Sequence, residues 1–131
     1  MNEPFKVRFT VRFRDVDVLG HVNNAVYFTY METARTEYWM KTFGGQSLQD
    51  LHFVVAHAEC DFKKPAHFGD EIEVTIRTTS IRNSSFDWLY EIRNAQTEEL
   101  VAHGKTVQVF YDHATQKSSP VPPEVRSRLM Q

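Results

Sequence analysis

The sequence predicts an α+β fold in which a five-stranded antiparallel sheet wraps around one long helix. Three features point there: clean period-2 alternation in several segments, one apolar stripe of helical period, and short turns joining the later strands. The first strand opens the chain, with Phe5, Val7, Phe9, Val11 and Phe13 alternating with Lys6, Arg8, Thr10, Arg12 and Arg14. One face of that strand is buried and the other is charged, so the strand is expected to run through to Arg14. Residues 15–23 break the alternation with Gly20 and a polar cluster.

From Asn24 the period changes. Tyr27, Tyr30, Met31, Ala34 and Tyr38 recur at three- and four-residue spacing, the stripe of a helix buried on one side. Glu37 and Lys41 add a favourable i,i+4 pair. Asn23 or Asn24 supplies the cap and Gly44-Gly45 the stop, giving a helix of about 18–20 residues, roughly 30 Å long. Four strands follow, over residues 52–62, 71–81, 86–92 and 100–111, the second with Ile72, Val74 and Ile76 inward and the third with Phe86, Trp88, Tyr90 and Ile92. Residues 65–69 connect the first two of these, and 82–85 and 94–97 read as hairpin turns. Pro120, Pro122 and Pro123 end the sheet, leaving residues 124–130 as a short helix. The helix covers one face of the sheet. The other face is expected to carry aromatics that need a cover, which predicts self-association.

Composition narrows the function classes. With 41% apolar and 24% charged residues the chain is globular, and its length suits one domain over residues 1–131 with a short helical tail from about residue 121. Fifteen basic against seventeen acidic residues give a net charge of −2, so no global field gathers nucleic acid. The single Cys60 excludes an intramolecular disulfide. No long apolar run and no signal-peptide core occur, so a soluble, cytoplasmic protein with no membrane span is expected.

The chemistry concentrates at residues 15–24, Asp-Val-Asp-Val-Leu-Gly-His-Val-Asn-Asn, between a strand and a helix start. A helix start leaves backbone N–H groups unpaired and carries partial positive charge, which suits a developing oxyanion. A carboxylate nearby can attack a carbonyl or activate water, and Asp17 and His21 are the titratable side chains best placed to share that work. The same residues also read as structure, since Asp and Asn before a helix commonly cap it or satisfy loop amides, and a lone His fills a polar corner.

The run from Arg12 to Tyr27 resembles the signature of the hotdog-fold thioesterases, most nearly the 4-hydroxybenzoyl-CoA thioesterase-like acyl-CoA thioesterases. Glu32-Thr33-Ala34-Arg35, Phe62-Lys63-Lys64-Pro65 and Gly69-Asp70 match the same layout, so the resemblance extends to about Tyr111. It implies a hotdog fold and hydrolysis of acyl-CoA to a free acid and CoA. The catalytic aspartate falls on Asp17, as nucleophile or general base, and the oxyanion donors fall near Asn23 and Asn24, with Tyr27 the stripe residue nearest substrate. His21 matches the histidine of acyl-carrier-protein thioesterases, whose catalytic Asn two residues earlier is here Leu19. Lys63, Lys64, Ser84, Ser85 and Phe86 are the CoA-binding candidates, against the plain reading of a solvated edge. The resemblance further implies a homodimer or homotetramer with the site at the subunit interface. An acyl-carrier-protein substrate and a non-catalytic acyl-thioester binder remain the alternatives.

No cofactor is expected beyond the CoA of the substrate, and no metal, because the histidines lack ligand spacing. Cys60 reads as buried, not nucleophilic. Glu32 reads as a structural partner of Arg35 or as a lining of the acyl pocket.

Overall fold

The computed structural model describes residues 3–45 and 50–131. The order is β1 (Phe5–Thr10), a 3₁₀ turn (Phe13–Asp15), α1 (Val26–Phe43), β2 (Phe53–Phe62), β3 (Glu71–Ile81), β4 (Ser85–Asn94), β5 (Leu100–Asp112), β6 (Lys117–Ser118) and α2 (Pro123–Leu129). All pairings are antiparallel, in the order β1-β3-β4-β5-β2, with the two-residue β6 added to the end of β5. The α+β expectation holds, and β6 is the strand that alternation was too short to reveal.

The alternating residues of β3 and β4 all face α1. Ile72, Val74, Ile76 and Thr78 are buried on β3, and Phe86, Trp88, Tyr90 and Ile92 on β4, against Tyr27, Tyr30, Met31, Ala34, Tyr38 and Trp39 of the helix. Across the sheet Ile76, Tyr90, Gly104 and Cys60 stand in register, and the thioether of Met31 descends onto Gly104 where a Cβ would lie 2.5 Å from its sulfur. Buried polar groups are paired: the Trp88 indole N–H donates to Thr78 Oγ1 at 3.0 Å, and the hydroxyls of Tyr90 and Thr106 lie 2.6 Å apart.

Three expectations need correction. First, β1 ends at Thr10. Val11 is buried, but the chain then turns through the 3₁₀ segment and Phe13 is 78% exposed, because the Asp15 carboxylate accepts the Arg12 N–H and closes the turn. Second, the outer face of the sheet is not aromatic. Facing away from α1 it carries Glu73, Arg77, Asp87, Glu91, Arg93, His103 and Lys105, together with Val101, Val107 and Val109 of β5 and the exposed Leu89. Every aromatic of β4 lies on the helix side, so the aromatics expected to need a cover are not on that face. Third, no side chain caps α1; Asn23 Oδ1 accepts the Ala25 N–H at 3.0 Å just outside the helix. Gly44, with φ of 82°, ends it as expected.

The exposed apolar surface lies elsewhere, on the outermost strand β2 (Val54, Val55, Phe62) and around the loop after β1 (Phe13, Val18, Leu19, Phe68). The C-terminal segment is docked, with Val125 and Leu129 of α2 buried in the core. No helix among the described residues is long and apolar enough to cross a membrane.

Candidate active site

The 15–24 loop is held in place at both ends. Asp15 is buried, and its carbonyl accepts the Asn23 N–H at 2.9 Å, closing the loop on itself. A short bridge from Val16 to Val22 joins the two sides of the loop, and one from His21 to His67 fastens it to the residue 65–69 connection, with the Val22 N–H donating to Ala66 O at 2.8 Å.

Asp17 stands exposed on this frame. Its Oδ1 accepts the N–H groups of Leu19 at 2.9 Å and His21 at 3.2 Å, which orients the carboxylate; Oδ2 has no hydrogen-bond partner among the described residues. The turn beneath it, with Gly20 N–H to Asp17 O at 3.0 Å, requires the positive φ of 79° that Gly20 adopts. The His21 ring is turned away, edge-on to His67 with centroids 5.0 Å apart. Sequence placed the Asp17 and His21 side chains together; the structure joins them through the His21 backbone amide.

At the helix start the backbone donors form an uneven series. The His21 N–H goes to Asp17, Val22 to Ala66, Asn23 to Asp15, Ala25 to the Asn23 side chain, and Val26, Tyr27 and Phe28 to the carbonyls three residues back. Asn24 N–H alone in this run has no acceptor among the described residues. Asn24 lines a cleft of about 220 Å³ with Val22, Tyr27, Phe62, Lys63, Lys64 and Pro65. Tyr27 is fixed there: its hydroxyl accepts the Ala66 N–H at 3.3 Å, and burial pushes the phenol above its ordinary pKa. Lys64 pairs with Glu99, whereas the Lys63 ammonium has no ion-pair partner among the described residues.

Asp17 belongs to a neighbouring, wider cleft of about 570 Å³ with an apolar rim of Phe13, Val16, Val18 and Phe68. The chain passes from this cleft at Gly20 into the other at Val22 and Asn24, so one short segment serves both. The apolar rim is what sequence reading missed, because Phe13 and Phe68, with centroids 5.9 Å apart, are adjacent only in space.

The CoA-binding candidates divide into two groups. Lys63 and Lys64 hang from Val101 O at the start of β5, whereas Ser85 pairs with Val109 near its other end, roughly 26 Å away along the strand. Phe86 is fully buried and packs on Trp39, Phe53 and Trp88; its side chain belongs to the core and offers no surface to CoA. Cys60 is half-buried at the inner side of β2, where burial raises its thiol to about 11, so it holds little thiolate at neutral pH. Glu32 lies 3.8 Å from the Arg35 guanidinium, as the pair reading expected. Among the described residues no group of three or more His, Cys, Asp or Glu side chains is arranged to hold a metal ion.

Known proteins resemble this chain over nearly all of it. The sequence profile of the Thioesterase-like superfamily matches residues 11–129. A thioesterase of Thermus thermophilus, solved with coenzyme A and Zn, is 39% identical with a TM-score of 0.85, covering 95% of this chain and 90% of that one. A 1,4-dihydroxy-2-naphthoyl-CoA thioesterase from Synechocystis is 26% identical at a TM-score of 0.85, covering 98% and 97%. The long-chain acyl-CoA thioesterase of Escherichia coli strain K12 is 27% identical over 96% of this chain and 97% of its own.

Proposed function

The chain belongs to the thioesterase-like superfamily and is a hotdog-fold thioester hydrolase, and on that premise we propose that it cleaves acyl-CoA thioesters to a free carboxylic acid and CoA at Asp17 and Asn24. The observation that carries the residue assignment is the Asn24 N–H, the one donor in the His21–Phe28 series left without an acceptor among the described residues. Whether the Asp17 carboxylate adds to the thioester carbonyl or takes a proton from the attacking water, negative charge grows on the carbonyl oxygen. A preset N–H at a helix start stabilises that charge without reorganisation, and the CoA thiolate departs and is protonated to the thiol. When water attacks directly the acid is released at once; when Asp17 attacks, a water then cleaves the acyl–Asp17 anhydride to the acid and restores the carboxylate. The Leu19 and His21 amides hold Oδ1 of Asp17 so that Oδ2 is free to react. His21 contributes through this amide. Lys63, at the mouth of the Tyr27 cleft, is the cation suited to a CoA phosphate.

The reading includes a second copy of the chain. Antiparallel pairing of two β2 edges sets the Phe62 end of one beside the Phe53 end of the other, and Ser85 lies at the Phe53 end of its own sheet. The partner subunit's Ser84 and the partner subunit's Ser85 then approach Lys63, which they cannot do within one chain.

The test is thiol release from a panel of short, long and aromatic acyl-CoAs, with Asp17→Asn in parallel. The wild type is expected to release thiol and the variant to lose kcat by about 10²–10⁴-fold. Full activity in Asp17→Asn removes the chemistry from Asp17. Release only from acyl groups carried on acyl carrier protein identifies that protein as the substrate carrier instead, and release from neither leaves a thioester binder.

A further inference from the structure

The reaction as proposed uses Asp17 and leaves the other aspartate of the pair, Asp15, without a part. Asp15 is nonetheless the more deeply placed, 4% exposed against an exposed Asp17. A buried carboxylate is costly unless its lone pairs are met, and here they are met by groups from three directions. Oδ2 accepts the Arg12 N–H at 2.9 Å and the Tyr30 hydroxyl at 3.0 Å, and Oδ1 lies 3.5 Å from the Arg12 guanidinium. The Asp15 carbonyl meanwhile accepts the Asn23 N–H.

We propose that Asp15 and Tyr30 form a positioning pair for thioester hydrolysis, clamping both ends of the loop that carries Asp17 and ends at Asn24 onto the buried face of α1. This rests on the reading of Asp17 and Asn24 given above. The clamp has two arms. The carboxylate fixes the start of the loop to Arg12 and to the helix through Tyr30, one turn beyond the helix start. The carbonyl fixes the end of the loop at Asn23, the residue before the unpaired N–H. Tyr30 is itself buried, 2% exposed and packed between Phe9 and Tyr27, with centroids at 4.9 and 5.9 Å. Between these anchors Asp17 is two residues from one and Asn24 one residue from the other, so the spacing between carboxylate and donor is inherited from Asp15. An error of about 1 Å in such spacing lowers rate on the order of 10²-fold. Pure capping needs neither the helix contact nor burial, and both are present.

Two variants and a double variant test this. Asp15→Asn keeps the shape and an acceptor oxygen but loses the charge facing Arg12, and Tyr30→Phe keeps the ring and loses the O–H. Both are expected to lower kcat, by roughly 10–100-fold for Asp15→Asn and threefold or more for Tyr30→Phe, with KM within threefold of wild type. The losses should not multiply with that at Asp17: measured with enzyme in excess, Asp15→Asn added to Asp17→Asn should cost less than twofold more. A merely structural role lowers the folded fraction and multiplies in full, which overturns the proposal. So does a kcat loss below threefold in Tyr30→Phe, the deciding variant where Asp15→Asn does not fold. Full activity in Asp17→Asn defeats the underlying assignment instead, and is recognised before either variant is made.

Discussion

Gly104 shows how much a single missing methyl group carries in this fold. A Cβ there would sit 2.5 Å from Met31 Sδ and 2.8 Å from the Glu59 carbonyl oxygen. The thioether can swing aside within a packed core only by displacing its neighbours, and the carbonyl belongs to the β2 backbone paired with β5. Gly104→Ala is therefore expected to destabilise the protein by about 1–3 kcal/mol, seen as a lower urea midpoint with an unchanged slope. Retention of the wild-type midpoint would mean that α1 is free to lift from the sheet. The position is also where sequence and structure part company at the residue scale. Gly104 falls inside the strand expected over 100–111 and reads as an ordinary strand residue; its purpose comes from Met31, which is far from it in sequence. Phe13 is the converse, continuing an alternation that the chain has already left.

The elements whose period was clean in the sequence are those with one face against the core, while β2 was found from its apolar run at residues 53–56 without a period. β3, β4 and α1 show clean periods because burial and exposure alternate with the geometry of the element itself. β2 shows none, because from Val54 to Glu59 it is exposed on both faces and burial imposed no pattern within one chain. The candidate site was legible in part because the residues proposed to react, Asp17 and Asn24, lie in one short segment, whereas the rim of Phe13 and Phe68, the turning of His21 onto His67 and the burial of Phe86 depend on tertiary contacts. The turn between β3 and β4 supplies a prediction at this scale. Arg82 grips Asp87 through two bonds, Nη1 to Oδ2 at 3.2 Å and Nη2 to Oδ1 at 2.5 Å, with Lys105 3.7 Å away, and this holds the Asp87 carboxyl below its ordinary value of 3.8. Because the folded value is the lower one, the stabilisation is complete above 3.8 and is lost as the pH falls below it. Asp87→Asn should thus cost about 1–2 kcal/mol at pH 7, and the cost should fade in chemical denaturation at about pH 3 and below. An undiminished difference at low pH would assign the effect to packing.

At the scale of the whole molecule, what remains unexplained within one chain is gathered at the β2 edge. β2 is a ten-residue outer strand whose far edge pairs with no strand among the described residues; a bulge between Val55 and His57 and the charges of Glu59 and Asp61 interrupt its second half, and the exposed Val54 and Val55 leave its first half apolar. The outer sheet face carries charged residues with Leu89, Val107 and Val109 among them and no aromatic of β4, so the cover for aromatics that the sequence pattern predicted there has lost its basis. Edge pairing between two β2 strands has apolar support in Val54 and Val55, and it brings the separated halves of the CoA-binding set, Lys63 together with the partner's Ser84 and the partner's Ser85, to one end of the joined sheet. Replacing both Val54 and Val55 with lysine sets like charges against each other across such a junction and leaves the core untouched, since neither side chain is buried. The double variant is expected to remain folded by circular dichroism and to shift from dimer or larger to monomer in light scattering. On the proposed arrangement, in which the second chain supplies part of the CoA site, its KM for acyl-CoA should rise by on the order of tenfold, a loss of about 1.4 kcal/mol in binding. A variant that keeps the assembly of the wild type would place the interface elsewhere, and a monomer with unchanged KM would put the whole CoA site within one chain.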